Sequence, residues 1–114
     1  MGFSGKSRTK AENARFTAIK EGHCMACIQR GIDVSGQGLV EVHHLSGKKR
    51  HDRTVGCCVW HHRSVLFWGH NHHEMREHYG PSLAEGSKPF HEAFGSDDAL
   101  LERQNELLEG AKAA

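Results

Sequence analysis

Two short pairs of metal-type ligands constrain this chain more than any other feature. Cys24 and Cys27 are separated by two residues, and Cys58 and His61 repeat that spacing further along. A structural zinc ion takes four cysteine or histidine ligands, usually from two such local pairs. A lone CxxC is equally compatible with a redox motif or chance, but the second pair favours zinc. We therefore predict a zinc ion held by all four residues, with the adjacent Cys57 as a small buried apolar side chain.

A domain as small as this one often needs a metal or disulfides to hold its fold. The 114 residues of the chain allow a single domain with a limited core. Residues 1–8 are expected to be flexible, residues 9–109 to form the domain and residues 110–114 to form a tail. No apolar run is long enough for a membrane helix, and residues 1–10 lack the apolar centre of a signal peptide. A cytoplasmic location, where cysteines stay reduced, is therefore expected.

The periodicity of the chain predicts short helices around a β-hairpin. Residues 39–45 and 54–57 have the composition of two paired strands joined by a polar loop. Thr9 and Glu12 form a capping-box pattern at the start of the first helix. The predicted helical segments are residues 9–22, 74–79, 87–94 and 97–109, and residues 58–68 suit a short buried helix or a turn. The predicted fold class is small α+β, with a metal-pinned hairpin and flanking helices.

Three histidines near the predicted zinc ligands, His43, His44 and His62, have no predicted structural role. Successive residues of a strand point to opposite faces, so the neighbours His43 and His44 must diverge. If His43 and His62 hold a catalytic divalent cation, His44 is free to act as a general base near neutral pH. Ordinary surface or core histidines are the alternative interpretation.

The candidates for nucleic-acid contact lie mainly in the loop of the hairpin. Residues 1–53 hold ten Lys and Arg against five Asp and Glu, whereas residues 54–114 hold five against nine. The basic loop residues are Lys48, Lys49, Arg50 and Arg53. They would attract phosphates without sequence preference, although a solvated turn is the alternative. Trp60 and Trp68 could stack on bases, but their apolar surroundings are more typical of a core.

A resemblance to known nucleases rests on two segments. EVHHLSGKKRHDRTVGCCVWHHRS, at residues 41–64, resembles the ββα-metal motif of HNH endonucleases. It is more closely similar to the recombination enhancement, RecA-dependent nuclease family, known as Ref. YGPSLAEGSKPFHEAFGSDDALLERQNELL, at residues 79–108, resembles the C-terminal part of that family. The similarity therefore covers residues 9–108.

The resemblance implies a DNA endonuclease with a ββα-metal core. It implies that His43 binds the catalytic cation, commonly magnesium or manganese, and that His44 activates water. His62 matches a further ligand of the same cation. The implied partners are DNA and a RecA filament, in recombination or phage biology.

Two positions depart from the HNH pattern. The usual middle asparagine falls on Arg53, which leaves Asp52 and Thr54 as candidates for fixing the loop. The further histidine expected four residues after His62 is replaced by Leu66. Candidates for the missing ligand are His70, His72, His73 and His78, of which we favour His70 and His73. A second zinc site and plain polar surface are alternative roles for this histidine cluster.

Two other classes of function compete with the nuclease. A zinc-pinned nucleic-acid-binding module without catalysis is consistent with the absent asparagine and with Leu66. A metal-binding interaction protein is consistent with the eleven histidines. A plasmid-cutting assay that depends on both metal and His44 discriminates among the three.

Overall fold

The computed structural model describes residues 8–113 and has the small mixed architecture that the sequence predicts. The segment predicted to be flexible lies outside the described residues, except for Arg8. The helices are α1 (Lys10–Glu21), α2 (Val59–Arg63), α3 (His72–Tyr79), α4 (Ser87–Phe94) and α5 (Asp97–Ala113). The strands are β1 (Val40–His44) and β2 (Thr54–Cys58), and short 3-10 helices cover Cys27–Arg30 and Leu83–Glu85. The last helix thus continues beyond the domain boundary placed at residue 109. No helix within residues 8–113 has the length and apolar character needed to cross a membrane.

The two strands form an antiparallel hairpin whose register separates the histidines. His43 lies opposite Val55, and His44 lies opposite Thr54. Directly paired residues share a face of the sheet and successive residues alternate, so His43 and His44 point to opposite sides. The hairpin therefore presents one histidine of the pair on each face.

Helix α1 covers the face that carries His44. The Thr9 side chain accepts a hydrogen bond from the backbone of Glu12, whose carboxylate accepts one from the backbone of Thr9, as the capping-box pattern predicts. Phe16 is buried and contacts the His44 ring edge-on, with 5.6 Å between ring centroids. Arg15 donates hydrogen bonds to the hydroxyl and the carbonyl of Thr54, at 2.9 and 2.7 Å. These contacts attach α1 to the loop end of the hairpin.

Gly56, in the middle of β2, is where three parts of the chain meet. Its N–H donates to the side-chain oxygen of Gln104 in α5 at 2.7 Å, and its carbonyl accepts from the N–H of Met25 at 2.9 Å. A Cβ at this position would lie 2.3 Å from the carbonyl oxygen of His23. Only glycine leaves room for the segment after α1 to approach β2 this closely. That approach brings the CxxC segment beside the hairpin.

The remaining helices enclose a core centred on α2. Trp60 is fully buried, and its indole N–H donates to the carbonyl of Gly80 at 2.9 Å. The core interpretation is correct for Trp60 but wrong for Trp68, whose side chain is 98% exposed in the connection after α2. Met75, Phe90 and Phe94 complete the packing from α3 and α4.

Candidate metal centre and histidine site

The four predicted zinc ligands converge in the core. The sulfurs of Cys27 and Cys58 are 3.8 Å apart. The Nδ1 atom of His61 lies 3.2 Å from the sulfur of Cys58, 3.4 Å from that of Cys24 and 3.6 Å from that of Cys27. In a tetrahedron with Zn–S bonds of about 2.3 Å and Zn–N bonds of about 2.0 Å, the edges are about 3.8 Å and about 3.5 Å. The spacing of the donor atoms therefore fits a single ion such as zinc.

Hydrogen bonds prepare His61 and Cys24 for metal binding. The Nε2 atom of His61 donates to the carbonyl of Tyr79 at 2.7 Å, so the lone pair of Nδ1 points at the sulfurs. Burial opposes ionisation of Cys24, but hydrogen bonds from the neighbouring cysteine thiols hold the pKa of its thiol well below the usual value. A thiolate is the form of cysteine that binds metals.

The local structure explains why these positions meet. Cys24 lies in the segment after α1 and Cys27 begins the short 3-10 helix, and the Cys27 N–H donates to the Cys24 sulfur at 3.4 Å. Cys58 is the last residue of β2 and caps α2, which places His61 one helical turn later. Cys57 is buried but does not belong to the four-residue group. The cluster could hold a metal such as zinc, as the spacing of the two pairs predicts.

On one face of the hairpin, His43 lies beside His62. Their ring centroids are 5.0 Å apart, and both side chains are partly buried between β1 and α2. Burial, followed by the nearby His62, lowers the pKa of His43 to about 4. The imidazole of His43 is therefore neutral near pH 7, which is the form that binds a cation.

Glu41 determines which nitrogen of His62 remains available. The Arg63 guanidinium donates to both carboxylate oxygens, at 2.9 and 2.6 Å, and lowers the pKa of Glu41 below its ordinary value. The ionised carboxylate can only accept, so Nδ1 of His62 donates to Glu41 across 3.0 Å. The Nε2 atom of His62 then keeps its lone pair for another partner. The sequence makes Glu41 a conceivable metal ligand or partner of a metal ligand, with exposed charge as the default, and strand alternation places it on the same face as His43.

On the opposite face, His44 pairs with a histidine that sequence analysis did not single out. The Nε2 atom of His44 lies 3.1 Å from Nδ1 of His51, in the hairpin loop. Burial, followed by the charge of His51, lowers the pKa of His44 below its usual value. The position of His51 depends on the course of the loop, so no local pattern in the sequence indicates it.

Two residues at the junction of α4 and α5, His91 and Asp97, also affect the pKa of His43. The charge of Asp97 raises the pKa of His43 and that of His91 lowers it, although burial remains the larger influence. Nε2 of His91 lies 3.3 Å from the Asp97 carboxylate. The two residues add a polar pair from the C-terminal half of the chain to the surroundings of His43.

The histidines proposed as extra ligands lie on the exposed surface of α3 and the segment before it. His70 and His78 line a shallow cavity of about 410 Å³ with Glu74 and Glu77, and Nε2 of His73 lies 3.5 Å from the Glu77 carboxylate. Within residues 8–113, the Cys₃His cluster is the only group of three or more potential ligands with mutually close donor atoms. The structure therefore does not gather His70 or His73 into a metal shell with His43 and His62.

The basic loop contains both paired and solvent-facing cations. Arg50 makes two hydrogen bonds to Asp52, at 3.0 and 2.9 Å. Arg53 donates to Ser46 at 2.6 Å and to Asp98 at 2.9 Å. Lys48 and Lys49 are exposed and have no ion-pair partner within the described part of the chain.

The fold and the site define a small α+β protein in which a Cys₃His cluster anchors a hairpin that carries histidines on both faces. The model of the family described as recombination enhancement, RecA-dependent nuclease matches residues 8–109, and the chain belongs to this family. A comparison with curated proteins finds no match. The family name implies a nuclease with a role in recombination and a relationship to RecA and DNA.

Proposed function

We propose that the protein is a metal-dependent HNH-type endonuclease that hydrolyses phosphodiester bonds in DNA. The observation that carries this proposal is the facing pair of His43 and His62, 5.0 Å apart between ring centroids. His43 is neutral near pH 7, and His62 has its Nδ1 atom occupied by Glu41. Both rings can therefore offer a lone pair to one cation.

His43 and His62 would hold magnesium or manganese, and His44 would act as the general base. A divalent cation in such a site stabilises the charge that develops on the phosphate and on the leaving oxygen. His44, on the opposite face at the end of β1, would take a proton from the attacking water. The Cys₃His cluster would hold a structural zinc that fixes α2, and therefore His62, against the hairpin.

Lys48 and Lys49 would provide most of the electrostatic attraction to DNA from the hairpin loop. They are solvent-facing, whereas Arg50 and Arg53 are engaged by Asp52 and Asp98. We retain Arg50 and Arg53 as weaker DNA contacts, because a phosphate would have to compete with a carboxylate for each. Family membership supports DNA held in a RecA filament as the substrate and the cytoplasm as the place of action.

Cleavage of supercoiled plasmid tests the proposal. Wild-type protein should nick or linearise the plasmid with magnesium or manganese, and EDTA should abolish the cleavage. His44→Ala and His62→Ala should both be inactive, while the matched control His78→Ala, in the exposed part of α3, should cut normally. Parallel reactions with RecA filaments determine whether the filament is required.

One observation favours the non-catalytic alternative. Within the described residues, His43 and His62 do not belong to a group of three mutually close ligand atoms. A DNA-binding module would retard plasmid without cutting it, with or without RecA filaments. That result, obtained with folded and metal-loaded protein, would overturn the nuclease proposal.

A further inference from the structure

His51 is held in place on three sides. Its Nδ1 atom lies 3.1 Å from Nε2 of His44, and its ring lies edge-on to Phe16 with centroids 5.4 Å apart. Its carbonyl accepts a hydrogen bond from the hydroxyl of Thr54 at 2.9 Å, and that hydroxyl accepts in turn from Arg15. The loop residue is therefore fixed against α1 and β2, and it meets His44 with a defined edge of its ring.

The contact leaves one nitrogen of His44 available for chemistry. Two neutral imidazoles that meet nitrogen to nitrogen share one proton, so one ring donates and the other accepts. If Nε2 of His44 donates to His51, Nδ1 of His44 carries a lone pair and can accept a proton. In the reverse arrangement, Nδ1 of His44 carries the proton itself and cannot act as a base. No group within residues 8–113 forms a hydrogen bond to Nδ1 of His44.

We propose that His51 is the positioning residue for His44, accepting the Nε2 proton and so presenting Nδ1 of His44 to the attacking water. The inference rests on the proposed function, in which His44 is the base. Arg53, which occupies the position of the HNH asparagine, cannot take this role because a guanidinium has no hydrogen-bond acceptor, and its donors already bind Ser46 and Asp98. His51, two positions earlier in the same loop, supplies a ring nitrogen to His44 instead.

Two substitutions separate the hydrogen bond from the packing. His51→Phe keeps an aromatic ring against Phe16 but removes the nitrogen. His51→Asn keeps a polar atom close to the position of Nδ1, and its amide can turn to accept a hydrogen bond. We expect His51→Phe to lower kcat for plasmid cleavage by about 10- to 100-fold with little change in KM. His51→Asn should restore activity to within a few-fold of wild type.

Matched thermal melts of the wild type and both variants show whether the loss of activity is a loss of folding. A folded His51→Phe variant with wild-type kcat overturns the proposal. Equal losses in folded His51→Phe and His51→Asn variants also overturn it, because the hydrogen bond would then not matter.

The ¹⁵N chemical shifts of the His44 ring report the tautomer without any need for activity. At a pH where both rings are neutral, the wild type should show a protonated Nε2 and an unprotonated Nδ1. His51→Phe should show a mixture of the two tautomers. If the wild type already shows the mixture, or if His51→Phe leaves the shifts unchanged, the positioning role is wrong even where the plasmid is cut. A fixed tautomer in a protein that does not cut DNA would instead refute the nuclease proposal alone.

Discussion

The carboxylate of Glu41 interacts with two side chains, Arg63 and His62, and each interaction has a different effect. Arg63 keeps it ionised, and the ionised group then fixes the ring of His62 through Nδ1. Partners of this kind orient metal-binding histidines, and their loss typically reduces metal affinity by about 10- to 100-fold. The direction of one hydrogen bond therefore determines whether His62 can bind a cation with Nε2.

Replacement of Glu41 tests this dependence. Glu41→Ala should weaken binding of Mn²⁺ at the proposed His43–His62 site by about 10-fold or more, because His62 loses its orientation and its fixed tautomer. Calorimetric titration of zinc-loaded protein with Mn²⁺ measures the effect. Glu92→Ala, which removes an exposed carboxylate from α4, is the control and should leave the affinity unchanged. Equal affinities in both variants would contradict the role of Glu41.

Among the elements, β2 has the least freedom to accept substitutions. Its central glycine is hydrogen-bonded by α5 on one side and by the CxxC segment on the other. All five residues of the strand are buried. The strand thus joins the metal cluster to the C-terminal helix.

Gly56→Ala should therefore destabilise the fold, by about 3 kcal/mol, because the added methyl overlaps a backbone oxygen that cannot easily move. Gly110→Ala is the matched control. Gly110 lies in α5 with open space around it, so alanine should stabilise the protein by about 0.5–1 kcal/mol. Urea unfolding measures the free energy of unfolding of both variants. If Gly56→Ala leaves that free energy unchanged, the close approach of the His23 carbonyl to Gly56 is wrong.

In the proposed function, the hairpin loop binds DNA mainly through Lys48 and Lys49, which have no ion-pair partner among the described residues. The slope of log K against log salt changes by about 0.9 for each phosphate contact. The double substitution of Lys48 and Lys49 by alanine should therefore reduce the slope by about 2. Arg50→Ala should have a smaller effect, because Asp52 already neutralises that side chain. Fluorescence anisotropy of labelled DNA over a salt series measures the slope for each variant. A larger change for Arg50→Ala than for the lysine double variant would show that Arg50, rather than the two lysines, contacts DNA.

At the scale of the whole molecule, the Cys₃His cluster joins the turn after α1 to the junction of β2 and α2. A small domain with a metal at such a junction gains much of its folding free energy from the ion. Removal of a metal bound there should therefore affect the entire fold rather than one loop.

Metal analysis of two cysteine variants tests the assignment. The wild type should contain one zinc per chain, and a strong chelator should lower its Tm markedly. Cys58→Ala should lose the metal, whereas Cys57→Ala should keep it, since Cys57 is buried outside the four-residue group. Zinc retained by Cys58→Ala, or lost from Cys57→Ala, would show that the ligand set is different.

Sequence reasoning succeeded where the signal is local. The capping box of α1, the bounds of α4 and the two ligand pairs all depend on residues a few positions apart. The start of α3 was placed too late, although Asn71 and Glu74 form a second capping box that could have located it.

The tertiary part of the site was harder to predict. The contact between His51 and His44 depends on how the loop folds back, and no local spacing encodes that path. Family resemblance supplied roles for His43, His44 and His62, but the hydrogen bonds that Glu41 and His51 form with them became visible only in the folded chain.

The contrast between Trp60 and Trp68 gives the protein two independent optical reporters. Trp60 is completely buried beside α3, whereas 98% of the Trp68 side chain is exposed. Emission from Trp60 should shift to longer wavelength only when the core opens, while a soluble quencher should reach Trp68 in the native state. Single replacement of each tryptophan by phenylalanine assigns the two signals. Loss of the core and events on the outer surface can then be followed separately in one unlabelled sample.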